Sequence, residues 1–268
     1  MIYVTGDIHG NPVRLSNKIF PEGKEMTKDE YVIICGEFGF VWVLIESKPW
    51  TTLFIPGNHE NYDRLYGVDD PALLKCWLYD SLTEEQKDRL YTGYPEKKWH
   101  GGVVRELRPS VLMLDRGYVF NIDGKKCFTF GGASSHDISD GILHPEYLES
   151  NSEMHRLYRQ WSKEDKLFRV NHMSWWREEL PTETEMQQGI ESLEANNWHV
   201  DFVFTHCAPS SVLALLSRGT YKPDDLTGYL EMIRQKLDYT KWFFGHYHDN
   251  INVTNKDLCI YEQIVRVS

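Results

Sequence analysis

The sequence predicts an α/β protein, and three observations carry that prediction. Short, β-branched apolar runs alternate with helix-like segments near both ends of the 268-residue chain, the pattern of βαβ units with a partly parallel sheet. Its middle holds closely spaced strands separated by turns rich in Gly, Pro and Asp. Five polar blocks, four of them containing Gly, punctuate the chain, and most follow an apolar run, as loops at a sheet edge do.

The elements follow in order. Ile2–Thr5, Tyr31–Cys35 and Leu53–Pro56 read as strands, with helices expected around Pro12–Phe20 and Val41–Lys48 between them. Val103–Leu107, Val111–Leu114, Tyr118–Ile122 and Lys126–Phe130 read as four strands of an antiparallel or mixed second sheet. The Asp123-Gly124 pair is the strongest hairpin signal among their turns. Thr182-x-x-Glu185 is a capping box opening a helix whose apolar face carries Met186, Ile190 and Leu193. Asp201–Thr205 is a strand, Leu226 to Leu237 an amphipathic helix, and Lys241–Phe244 another strand. Ile251–Val253, Leu258–Tyr261 and Ile264–Val267 close the chain as strands.

The pattern predicts a single domain over 1–268. Segments 69–99 and 146–177 look inserted: the first is acidic, with a helix expected at Thr83–Leu90, and the second is charged and aromatic. They are candidate caps over the polar sheet edge, or ordinary surface helices.

Composition narrows the function. A net charge of −11 repels phosphate polymers and disfavours long nucleic acid as a partner. No apolar stretch approaches a membrane span, and the start runs straight into the first polar block without a basic n-region, so no membrane partner and no signal peptide are expected. Cys35, Cys76, Cys127, Cys207 and Cys259 are odd in number and widely spaced, as reduced thiols of a cytoplasmic protein would be.

The five blocks are Gly6-Asp7-Ile8-His9-Gly10, Gly36-Glu37-Phe38-Gly39, Gly57-Asn58-His59-Glu60, Thr205-His206 and Gly245-His246-Tyr247-His248. The first lacks the Lys-Ser/Thr ending of a nucleotide P-loop and the glycine spacing of a dinucleotide fingerprint. Asp and His suit divalent Mn, Fe and Zn. Two such ions clamp a phosphate and lower the pKa of a shared water, which then attacks phosphorus. Taken singly, each block is a polar turn, and a lone His is usually packed or on the surface. Taken together, in this order, they point to metal binding. His100, His144, His155, His172 and His199 have no motif spacing and are read as ordinary side chains.

As a set the blocks resemble the motifs of the calcineurin-like metallophosphoesterase superfamily, and the resemblance runs over nearly the whole chain. It implies two facing mixed β-sheets flanked by helices, in α-β-β-α layers, with two divalent metal ions, Mn²⁺ or else Fe or Zn, at the carboxyl ends of the strands. Asp7, His9 and His248 would hold one ion, and Asn58, His206 and His246 the other. Glu37 stands where the family has a bridging Asp, and His59 would assist departure of the leaving group. The implied activity is hydrolysis of a phosphate mono- or diester in a small substrate.

Two departures from the family pattern matter. Glu37 is one methylene longer than the family's Asp, which predicts altered metal spacing or occupancy and a tuned activity. In the Ser/Thr protein phosphatase branch, Val-Asp-Arg follows the bridging residue; this chain reads Phe38-Gly39-Phe40-Val41 and lacks both polar groups. The resemblance is closer to a bacterial or phage branch, which Phe130–Asp137 and Ser174–Glu179 also resemble. His136, Asp137, Arg169 and Arg177 are candidate substrate contacts. The rival readings are a protein phosphatase and a metal-binding relative with little turnover because of Glu37.

Overall fold

The computed structural model describes residues 1–39, 41–68 and 83–268. Phe40 and residues 69–82, which include Cys76 and begin the segment 69–99 expected as an insertion, lie outside them. The chain divides into two compact units: Met1–Glu60 with Glu96–Ser134 and Leu180–Ser268, and Asn61–Pro95 with Ser135–Glu179.

The first unit contains two mixed sheets. One runs from β1 (Ile2–Thr5) through β2 (Tyr31–Ile34) to β3 (Thr51–Phe54), all parallel, and β6 (Val111–Leu114) joins β3 in parallel. Antiparallel β5 (Gly102–Arg108) and β4 (Glu96–Trp99) follow on that side, and β15 (Val265–Arg266) lies antiparallel to β1 on the other. In the other sheet β8 (Lys125–Phe130), β11 (His199–Thr205), β12 (Asp238–Phe244) and β14 (Asp257–Cys259) are parallel. Antiparallel β7 (Tyr118–Ile122) and β13 (Ile251–Asn252) are its edges.

The strand residues explain the layering. Ile2, Val4, Ile33 and Leu53 of the first sheet share one buried cluster with Phe120, Ile122, Cys127, Phe204 and Phe243 of the second. The alternate positions, Phe128, Phe130, Trp242 and Phe244, point the other way. They pack against α5 (Glu183–Ala195), α6 (Ser210–Ser217) and α7 (Asp225–Lys236) through Leu193, Val212, Leu226, Leu230 and Ile233. A period of two thus gives each strand of the second sheet a sheet-facing and a helix-facing side. The α/β class and the two facing mixed sheets agree with the sequence reading. Among the described residues no helix is long and apolar enough to cross a membrane.

The structure corrects the sequence reading at several elements. The four middle strands divide between the sheets. Val111–Leu114 is buried at all four positions and pairs parallel with β3, and a continuous apolar run is the mark of a strand covered on both faces. The change of sheet falls at Asp115-Arg116-Gly117, where Gly117 has φ +82°. Residues Pro12–Phe20 form no α-helix: Pro12–Leu15 and Pro21–Glu25 are separate 3₁₀ turns. Phe20, preceding Pro21, is driven out of the helical region (φ −119°, ψ 73°). The helix expected over Val41–Lys48 shrinks to α1, Trp42–Ile45. The Asp123-Gly124 hairpin holds, both residues having positive φ (52° and 74°) as a type I′ turn requires. So does the capping box of Thr182 and Glu185.

The second unit holds helices α2 (Tyr62–Tyr66) and α3 (Glu84–Thr92) and the helix α4 (Asn151–Lys163). The last packs Met154, Leu157 and Trp161 against Leu143 and Val170 of a two-stranded parallel sheet, β9 (Gly141–Leu143) and β10 (Phe168–Val170). Three residues per strand give too little pattern for either to be read from sequence.

Candidate metal centre

Five parallel strands deliver the five blocks. Asp7 and His9 follow β1, Glu37 follows β2, Asn58 and His59 follow β3, His206 follows β11, and His246 and His248 follow β12. All lie at carboxyl ends, where parallel strands of α/β sheets place their binding loops. Four of these residues have left-handed backbone: His9 (φ 48°), Glu37 (48°), His246 (65°) and His248 (51°). Such conformations cost about 1–3 kcal/mol each and concentrate at functional sites.

Two groups of donor atoms form. In one, Asp7 Oδ2 lies 3.1 Å from His248 Nε2 and 3.9 Å from His9 Nε2, and the two imidazole nitrogens are 2.9 Å apart. These three side chains can place ligand atoms within 4.8 Å of one another. In the other, His206 Nε2 lies 3.1 Å from Asn58 Oδ1 and 3.3 Å from Glu37 Oε1. The His246 ring stands edge-on to that of His206, 5.0 Å between centroids, and its amide donates to both Asp7 oxygens at 3.2 Å. The seven residues expected as ligands are therefore brought together. Glu37 Oε1 also accepts the His59 amide at 2.9 Å. Among the described residues its carboxylate makes no ion pair with His9 or His248, so its reach is toward the His206 group.

The motif glycines make room for this. A β-carbon on Gly36 would sit 1.9 Å from His206 Nδ1, one on Gly245 2.3 Å from Asp7 Oδ1, and one on Gly57 2.5 Å from Glu37 Oε1. Gly131, in the Phe130–Asp137 segment, comes against Pro56 in the same way: its β-carbon would lie 2.7 Å from the Pro56 carbonyl oxygen.

The donor chemistry fits a divalent cation. His206 Nδ1 donates to the Cys35 carbonyl at 2.8 Å, which leaves a lone pair on Nε2 facing two oxygens. A neutral imidazole there would oppose lone pair to lone pair, so the cluster demands a positive charge. A proton supplies it when no cation does: burial pulls His206 down, but Glu37 and Asp7 raise it to about 9. The carboxylates show the same demand. Burial works to raise Asp7 and Glu37, yet His248 and His206 for the first, and His206 for the second, hold each below its ordinary value. Nitrogen and oxygen donors in this mixture suit Mn²⁺, Fe²⁺ and Zn²⁺.

Glu60, the last residue of the Gly57-Asn58-His59-Glu60 block, is buried and accepts the Phe38 amide at 2.5 Å. Burial and the nearby Glu37 push it up to about 8. It thereby holds the turn that carries Glu37. Arg14 and Tyr261 border the His9–His248 group and belong to no motif, so nothing in the sequence singled them out.

The candidate substrate contacts lie in the second unit. Arg169 pairs with Asp137, while His136 and Arg177 are exposed. In the same unit His172 Nδ1 lies 2.7 Å from Asp63 Oδ1, a pair the spacing of histidines did not reveal. A cavity of about 690 Å³ is lined by Ser152, Arg156, Arg159 and other residues of α4 rather than by the donor groups.

A family model described as calcineurin-like phosphoesterase matches residues 1–250. No curated protein matches the chain.

Proposed function

The chain belongs to the calcineurin-like phosphoesterase family, and we propose that it hydrolyses a mono- or diester of phosphate at a pair of divalent cations, Mn²⁺ foremost. One cation would be held by Asp7, His9 and His248, the other by Asn58, His206 and His246, with Glu37 between. The observation that carries this reading is the convergence of oxygen and nitrogen donors around His206 Nε2 and around His248 Nε2. Bound there, the ions would polarise phosphoryl oxygens and lower the pKa of water.

The protein supplies the rest. Asp7 and Glu37 bring negative charge to offset two dications. The Cys35 carbonyl fixes the His206 tautomer, so that Nε2 is the free nitrogen. The Glu37 carboxylate anchors the backbone of His59, whose imidazole is the group we assign to pass a proton to the departing oxygen. The overall charge of −11 supports a small phosphoester rather than long nucleic acid. The four described cysteines are buried and unpaired, which supports placing the protein in the cytoplasm.

The test is metal analysis with hydrolysis of p-nitrophenyl phosphate, its bis ester and a phosphopeptide. Two ions per chain with turnover of either small ester support the reading. Turnover of the phosphopeptide alone makes it a protein phosphatase. Full occupancy without any turnover makes it a binding protein and refutes the reading.

A further inference from the structure

The two exposed imidazoles of the centre lack what His206 has. Metal-binding histidines generally fix their ring by donating the second nitrogen to a carbonyl or carboxylate, and His206 does so to Cys35. His9 and His248 use Nε2 toward each other and toward Asp7, and among the described residues neither ring has a hydrogen-bond partner for Nδ1. Burial does not hold them either, since the His248 side chain is 49% exposed.

What touches both rings is Tyr261. Its ring stacks on His248, 4.6 Å between centroids and 21° from parallel, and meets His9 edge-on at 6.4 Å. The backbone of Tyr261 is fastened on both sides. Its amide donates to Asn250 Oδ1 at 2.9 Å. Its carbonyl accepts the Gly6 amide at 3.0 Å, the Thr5 hydroxyl at 3.3 Å and Arg14 Nη1. Arg14 Nη1 also reaches Thr5 Oγ1 at 3.2 Å and the Gly6 carbonyl at 3.5 Å, and the guanidinium lies 5.3 Å from the Tyr261 ring centroid. One cation thus ties the end of β1 to the chain after β14 through a single nitrogen, Arg14 Nη1. Gly6 is part of the device: a β-carbon there would fall 2.2 Å from the Ile260 carbonyl oxygen and 2.6 Å from Tyr261 Cα. The glycine of the first motif is there so that the Tyr261 segment can cross it.

We propose that Tyr261 is a positioning residue for the His9–His248 half of the centre, and that Arg14 fixes Tyr261 in place. This rests on the reading of the centre as metal-binding. The stacked ring takes the part of the missing hydrogen-bond partner, and it restricts the rotation of an exposed imidazole that would otherwise sample several rotamers.

The test is calorimetric titration of metal-free protein with Mn²⁺, with the ion count per chain measured separately. The parent should take up two ions, and His248→Ala should lose one. Tyr261→Leu should weaken that same step by about 10-fold, the lower end of what loss of an outer partner costs. The other step and the unfolding temperature of the metal-free protein should not move. Tyr261→Phe, which keeps the ring, should match the parent. Unchanged binding in Tyr261→Leu, or equal loss in both steps, overturns the proposal while leaving the metal reading intact. If Tyr261→Leu does not fold, Arg14→Gln is judged by the same criterion: loss confined to the His248 step supports the assignment, and any other pattern overturns it. A parent that takes up no ion removes the metal reading and this assignment with it.

Discussion

Gly57 lies so close to Glu37 that a β-carbon on it would sit 2.5 Å from Oε1 and 2.8 Å from the Glu37 amide nitrogen. The longer carboxylate occupies the space that a side chain at 57 would take. Gly57→Ala should therefore displace Glu37 from His206, at about 1–3 kcal/mol of stability for the overpacking and about 10-fold in Mn²⁺ affinity. Thermal unfolding and metal titration of the variant check this; parent-like values of both would show that the loop yields at no expense.

Glu37→Asp restores the residue usual in the family but withdraws the carboxylate from the two partners it has here, His206 Nε2 and the His59 amide. Affinity for one ion should fall about 10-fold and turnover should fall with it. A gain in turnover with Mn²⁺ would mean that the parent site is impaired by its own glutamate.

Removing the ions should cost stability by mass action. Free Mn²⁺ at 100 times its dissociation constant stabilises by about 2.7 kcal/mol per site. In a chain of this size that corresponds to a rise of about 5–10 °C in unfolding temperature. Scanning calorimetry with EDTA and then with excess Mn²⁺ measures it, and coincident transitions would contradict ion binding at the clustered carboxylates.

Asp257 gives a pH-dependent prediction away from the centre. It is buried and accepts from Arg234 Nη2 at 2.8 Å, Tyr239 OH at 2.7 Å and Thr254 Oγ1 at 2.6 Å. Burial works to raise its carboxyl, but these donors, Arg234 foremost, hold it below 3.8. A depressed carboxyl contributes stability above its unfolded value and loses it as pH falls through the folded one. Asp257→Asn should cost roughly 1.5–3 kcal/mol near neutrality, and the gap to the parent should close below about pH 4. A gap that stays constant to pH 2 would contradict this.

His172 and Asp63 form the reverse case in the second unit. Burial pulls His172 down, but the Asp63 hydrogen bond, with Glu178 and Glu146 nearby, raises it on balance. Its contribution is therefore complete below the ordinary histidine value and is lost as pH rises through the raised one. His172→Asn tolerates the left-handed backbone at this position (φ 56°) but removes the charge. Amide exchange in Tyr62–Tyr66 should quicken in the variant at pH 6 and much less at pH 9. Equal exchange at pH 6 would show that the pair does not hold that helix.

The donor loops were legible in the sequence because each is local: a strand end and one or two ligands within five residues, with a glycine in four of the five. The strands feeding them were legible for the same reason. What escaped notice depends on distant pairing. Val111–Leu114 joins β3, while Tyr118–Ile122, a few residues on, joins β8, and only the unbroken apolar run of the first hints at it. Arg14 and Tyr261 meet across 247 positions, and no spacing rule links an arginine in a 3₁₀ turn to a tyrosine between β14 and β15. The helix expected over Pro12–Phe20 gives way to two 3₁₀ turns, each opened by a proline, because Pro21 keeps Phe20 out of the helical region.

His9 and His248 are exposed residues in left-handed backbone, so no interior packing accounts for either conformation. A chain relieved of chemistry at this edge would become more stable by drifting to glycine or asparagine at both positions, by about 1 kcal/mol each. Both positions carry histidine here, so the strain of this edge is set against what two imidazoles do beside Asp7.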